Sequence, residues 1–219
     1  MKTIAIHLRL ETASHRKRMM GIFRHVGANN DWDMRIIPNE DALCELIKAT
    51  DPAERPDGII SGVPYSERTG DTIVRSGIPF VGIGMSESEL AAHGNLRRFV
   101  LNDNEGIGKA AADYFLSLGN FRSYAFIPDA ANRGWSRLRE RGFERTLRHE
   151  RISCNIYNQS KGPLHAWLKA LPRPAAVLSA YDIGAQETID ACKKAGLEVP
   201  KQVSVLGVDN DELICDYTN

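Results

Sequence analysis

The residues that could do chemistry in this 219-residue chain are dispersed, and each pattern they form is incomplete. Gly82-Ile-Gly84 follows an apolar stretch, as a dinucleotide-cradling loop does, but position 87 is Glu where that fingerprint has its third glycine. The reading that remains is a turn after a strand. Gly106-Ile-Gly108 lies inside a helical apolar stripe and points to close helix–sheet packing. G-x-x-x-x-G-K-[ST], G-x-S-x-G and H-E-x-x-H are absent from the sequence. His7, His15, His25, His93, His149 and His165 show no ligand spacing, so no metal site and no cofactor are expected. Cys44, Cys154, Cys192 and Cys215 form no C-x-x-C pair and read as small buried hydrophobes. Spacing alone does not separate a catalytic Cys–His pair from packing, and each candidate reads more simply as packing. No catalytic residue is therefore assigned.

Seven arginines, from Arg133 to Arg151, crowd one helical region and are offset by Glu140, Glu144 and Glu150. Nucleic-acid contact is one reading; a solvated helix face with one inward arginine is the other. The totals favour the second. Lys+Arg and Asp+Glu are 28 each, a net charge of zero, and no exposed aromatics interleave with the arginines. The same balance gives a membrane-surface role no electrostatic support. With 42% hydrophobic and 26% charged residues, the chain is neither disordered nor collagen-like. Residues 3–8 are the only apolar run at the N-terminus before Arg9 and Glu11 interrupt it, which is not a secretory signal. No run is long enough to cross a bilayer, so a cytoplasmic protein is expected.

Short apolar stretches alternate with amphipathic ones throughout. Strands are expected at 3–8, 34–37, 58–61, 80–84 and 99–101. Met19, Ile22, Phe23 and Val26 mark a helix between the first two; others are expected at 42–50 and near 67–76. The pattern then restarts. Asn104 is a plausible N-cap for a stripe of Ile107, Ala111, Tyr114, Phe115 and Leu118 that ends at Gly119. Strands follow at 124–127, 154–157, 175–179 and 203–207, with helices at 135–148, around Leu164–Leu168 and at 183–195. Runs such as Gly58-Ile-Ile and Val203-Ser-Val-Leu suit strands covered on both faces. The fold class is α/β: two doubly wound parallel-sheet lobes, 1–103 and 104–207, with 208–219 left over and the ligand site expected in the cleft between the lobes.

Four segments add a resemblance. Leu101-Asn-Asp103-Asn-Glu-Gly106, Trp135-Ser-Arg-Leu-Arg139-Glu-Arg-Gly142-Phe143, Ala180-Tyr-Asp182 and Val205-Leu-Gly-Val-Asp209-Asn-Asp-Glu-Leu213 are similar, in order and spacing, to the effector-binding domain of the LacI/GalR family and its periplasmic sugar-binding relatives. Trp135, four residues before Arg139, makes the chain look most like xylose operon regulators, which carry an AraC-type DNA-binding domain. The resemblance implies a periplasmic-binding-protein-like type I fold and a sugar effector, a pentose such as xylose. It implies a homodimer that touches DNA only through a domain absent from this chain. Because the family pattern runs on past Asp209, it also implies a C-terminally truncated chain, with 208–219 starting a return crossover and the first lobe lacking its last elements. A transport-type sugar-binding protein without DNA binding is the alternative. A sugar-modifying enzyme and a dimerisation module with a degenerate pocket are further rivals.

By the same resemblance Arg16, Asp103, Trp135, Arg139, Asp182 and Asp209 are the candidate ligand contacts. The chemistry is apt: carboxylates accept from paired hydroxyls, a guanidinium fork donates to them, and an indole face suits the C–H side of a sugar ring. Four of them have a plainer alternative. Asp103 and Asp182 could cap helices, Arg139 could sit in a surface salt bridge, and Trp135 could be core. Tyr181 stands where many relatives have a sugar-contacting Asn.

Overall fold

A computed structural model describes residues 1–8, 10–29, 31–62, 66–84, 98–119 and 121–218. The chain divides into two compact units, Met1–Asn102 and Asp103–Asn219. In the first, β1 (Lys2–His7), α1 (Ala13–Asn29), β2 (Trp32–Ile36), α2 (Glu40–Ile47), β3 (Gly58–Ser61), α3 (Glu67–Ser76), β4 (Phe80–Ile83) and β5 (Phe99–Val100) follow in turn. All pairings are parallel, in the order β2-β1-β3-β4-β5. The alternation of β1 puts Ala5 on one face with Leu43, Ile47, Ile59 and Ile73. Ile4 and Ile6 go to the other face, against Met19 of α1. Both faces are thus covered, as parallel strands require.

Caps explain where the helices differ from the periodicity. The Asn39 side chain accepts from the Ala42 amide at 2.9 Å, so α2 starts at Glu40 rather than 42. Gly77, left-handed at φ 68°, ends α3. Glu87 and the segment after β4, where a dinucleotide helix would begin, lie outside the described residues, as does His93.

The second unit holds α4 (Asn104–Leu118), β6 (Ser123–Ile127), α5 (Gly134–His149), β7 (Cys154–Ile156), α6 (Leu164–Ala170), β8 (Ala175–Ser179), α7 (Asp182–Ala195), β9 (Val203–Leu206) and α8 (Glu212–Thr218). Its sheet is again wholly parallel, ordered β7-β6-β8-β9. Every residue of β6 and β8 is buried. Phe126 and Leu178 pack under Phe115 of α4 and Phe143 and Leu147 of α5. Ala125 and Val177 turn to Leu168, Cys192 and Val203 on the opposite side.

Several expectations change. Asp103, not Asn104, is the N-cap of α4: its Oδ1 accepts from the Gly106 amide at 2.8 Å. Gly108 serves helix–helix rather than helix–sheet packing. A Cβ there would overlap the Arg139 carbonyl, and one on Gly142 would overlap the Glu105 carbonyl, so α4 and α5 cross backbone to backbone. Of the cysteines, Cys44 and Cys192 are buried, whereas Cys154 and Cys215 are only partly so. Residues 208–219 contain α8, which packs on α7.

Candidate functional site

Arg139 lies one helical turn before Phe143 on α5, so the apolar face that anchors the helix also carries a guanidinium inward. It is 4% exposed. A charge so placed must be paired, since leaving it unpaired costs several kcal/mol. Nη1 donates to the Ala180 carbonyl at 2.5 Å and Nε to Asn104 Oδ1 at 3.1 Å. Nη2 lies 3.6 Å from Asp209 Oδ1, and Cζ stands 4.9 Å from the centre of the Trp135 ring. Ala180 follows β8 and Asp209 follows β9, so the guanidinium ties together the carboxyl ends of two neighbouring strands. This is where open parallel sheets receive ligands.

The loop bearing Asp209 is strained. Asp209 (φ 103°) and Asn210 (φ 50°) both occupy the left-handed region, at roughly 1–3 kcal/mol each. Asp182 holds that loop. Its amide donates to the Val208 carbonyl at 3.1 Å, and its Oδ2 accepts from the Asp211 amide at 2.7 Å. A Cβ on Gly207 would overlap Asp182 Oδ1, which leaves room for glycine alone. Asp182 is the first residue of α7 and is buried; Tyr181 occupies the cap position with no side-chain cap bond. The capping alternative for Asp182 is therefore corrected, because its carboxylate is spent on the loop. Trp135, half-buried, meets the Tyr181 ring edge-on at 5.7 Å. Burial, then Glu187 and Asp129, push the Tyr181 hydroxyl above its usual range, with Arg133 opposing.

Trp135, Arg139, Asp182 and Asp209 thus come together in the second unit. The surface salt-bridge alternative for Arg139 is overturned by its burial. Asp103 is exposed and caps α4 one residue before Asn104, which reaches Arg139. Arg16 belongs to the first unit, where Nη1 donates to the carbonyls of Leu10 (3.3 Å) and Glu11 (3.1 Å).

Three groups escaped the sequence. Asn104 drew notice only as a cap, although its neighbour Asp103 shares the turn. The Ala180 carbonyl is backbone and gives no side-chain signal. Arg18 packs its guanidinium over Gly84 (φ 71°), just past β4 in the first unit. The arginine-rich helix also resolves. Glu105 holds Arg141 at 3.2 Å and Arg145 at 2.9 Å, Asp129 holds Arg133 at 3.1 Å, Glu144 holds Arg148 at 3.1 Å, and Arg137 donates to the Asn132 carbonyl. That is the solvated face with one inward arginine. Among the described residues no cluster of three or more His, Cys, Asp or Glu could hold a metal ion, and no helix is long and apolar enough to cross a membrane.

Residues 112–219 match the periplasmic binding protein-like domain. The chain is 23% identical over 218 residues to the xylose operon regulatory protein of Escherichia coli K12, covering 92% of this chain and 53% of that protein. It spans, then, about half the length of that relative. Its fold superposes on a solved xylose-binding transcription activator with a TM-score of 0.73 at 20% identity, covering 96% of this chain and 55% of the other. A LacI-family regulator from Mycobacterium smegmatis gives 0.66 at 18%, covering 96% and 79%. The expected pair of parallel α/β lobes of periplasmic-binding-protein-like type is what these structures share with the chain.

Proposed function

From a chain whose residues 112–219 match the periplasmic binding protein-like domain and whose fold is that of LacI-type regulators, we propose the effector-binding part of a sugar-responsive transcription regulator. The observation that carries this is the buried Arg139, braced by Ala180, Asn104 and Asp209 at the strand ends. Arg139 and Asp209 present a donor fork beside an acceptor, the complement of paired hydroxyls on a neutral sugar. The effector is a pentose such as xylose, the sugar after which the regulators it resembles are named. Trp135 supplies ring surface, Asp182 fixes the loop that aims Asp209, and Asp103 and Arg16 complete the contacts.

Binding works by population shift. An effector that contacts both units favours their closed arrangement and alters how two protomers in a cytoplasmic homodimer present DNA-binding domains lying outside residues 1–219. A coupling of roughly 1–3 kcal/mol makes a useful switch. No bond is made or broken, so the protein is a sensor and not an enzyme. Calorimetric titration with a panel of pentoses tests the proposal: one of them saturates a single site. If no monosaccharide binds the folded protein, the proposal fails.

A further inference from the structure

A groove of about 800 Å³ runs between α2 and α3 of the first unit, along α3 from Glu67 to Ser76. Two of its lining residues, Arg55 and Ile78, precede β3 and β4. That part of the groove therefore lies at the amino ends of the strands, whereas open parallel sheets receive ligands at the carboxyl ends. None of the candidate sugar contacts lines it. Ile47 and Ile78 give it apolar surface, and its size falls within the roughly 300–1,000 Å³ of clefts that enclose small organic ligands.

The polar lining favours an anion. Lys48, Arg55, Arg68 and Arg75 stand against two carboxylates, Glu67 and Asp71. Among the described residues, the side chains of Lys48 and Arg68 make no hydrogen bond and no ion pair. Both also border a smaller cavity with Asp41 and Glu45, and neither of those carboxylates closes a pair with them. Arg55 is aimed by one bond, from Nε to the Ala49 carbonyl at 2.8 Å, which leaves both Nη groups to donate. Arg75 has an exposed pair with Asp71 at 3.7 Å, which is worth little. The hydroxyls are already used. Thr72 donates to the Arg68 carbonyl at 2.9 Å, and Ser76 donates to the Ile73 carbonyl at 2.7 Å and accepts from the Ile78 amide at 3.1 Å. A neutral hydroxylated ligand meets few open partners here, whereas phosphate oxygens take up guanidinium and ammonium donors. Arg68 and Arg75, seven residues apart on one face of α3, stand about 10 Å apart along its axis. That spacing suits a chain of phosphates better than a single one.

We propose that this groove binds a di- or triphosphate group, at a site separate from that of the sugar. Calorimetric titration with inorganic tripolyphosphate, pyrophosphate, orthophosphate and sulfate, at constant ionic strength and without magnesium, tests it. Tripolyphosphate binds about tenfold more tightly than orthophosphate or sulfate. Lys48→Gln and Arg68→Gln, both at exposed positions, each weaken it about tenfold, whereas Arg24→Gln, exposed on α1, leaves it unchanged. A nucleoside triphosphate that binds more tightly still assigns the group to a phosphate ester whose organic part rests on Ile47 and Ile78; equal binding assigns it to the inorganic chain. Equal affinity for all four anions, or an equal loss from Arg24→Gln, reduces the effect to screening of surface charge and overturns the proposal. So does the absence of heat from tripolyphosphate.

Discussion

The two units repeat one plan with different use of their strand ends. Each winds a parallel sheet in the same order, second strand, first, third, fourth, with helices on both faces. At the ends of the first sheet, polar groups mostly tie neighbouring segments together. Ser61 Oγ donates to the His7 carbonyl at 3.1 Å, and Glu40 gathers Ser66 and Thr69 at 2.6 and 2.7 Å. At the ends of the second, a buried guanidinium and a strained loop are held at a fixed geometry. The contrast teaches that a repeated topology does not repeat a site. Preorganisation is concentrated where buried charge obliges partners to converge.

The largest expected difference is in affinity. Arg139→Ala weakens sugar binding by about a hundredfold, since it removes charge-assisted contacts and leaves Asp209 without its buried partner, whereas Arg16→Ala, which removes a single contact from the first unit, costs about fivefold. Calorimetry on both variants measures the gap; equal losses would erase the distinction. Next comes the glycine contrast. Gly142→Ala forces α4 and α5 apart and destabilises by about 1–3 kcal/mol. Gly21→Ala, on α1 with nothing within 4 Å of its added Cβ, stabilises by up to about 1 kcal/mol through helix propensity. Denaturant unfolding reads both signs. Asp182→Ala frees the loop and weakens binding by about tenfold, with Asp209 intact, which titration against wild type would show.

The smallest effect is alkaline. Burial pushes the Cys192 thiol up to about 11 and that of Cys154, with Glu144 and Glu140 adding, to about 12. The folded state therefore holds these protons more tightly than the unfolded chain. Stability is fully present below pH 9 and declines as pH rises toward 11–12. Thermal unfolding measured across that window should fall less steeply in Cys192→Ala. An unchanged slope would remove the thiol from the account.

Much of the fold is legible because its signals are local. The strands at 58–61 and 175–179 and the helix near 67–76 have the bounds expected of them, and the structure adds that Ser66 and Gly77 cap that helix. The inward turn of Arg139 is foreshadowed by the resemblance, whose pattern sets it three residues before Gly142, rather than by spacing alone. What the sequence hides is long-range. Nothing near Gly108 announces that the backbone of α5 will cross there, and Arg139's carbonyl partner at Ala180 is 41 residues away. The loop role of Asp182 depends on a backbone amide, 29 residues on, in a segment whose left-handed turn no residue type demands.

Amide hydrogen exchange of the protein with and without saturating xylose tests the central claim most directly. The account predicts slowed exchange at residues 207–212, the Asp211 amide above all, because a sugar held by Arg139 and Asp209 rigidifies that loop. Xylose that binds while exchange at 207–212 stays the same would contradict it.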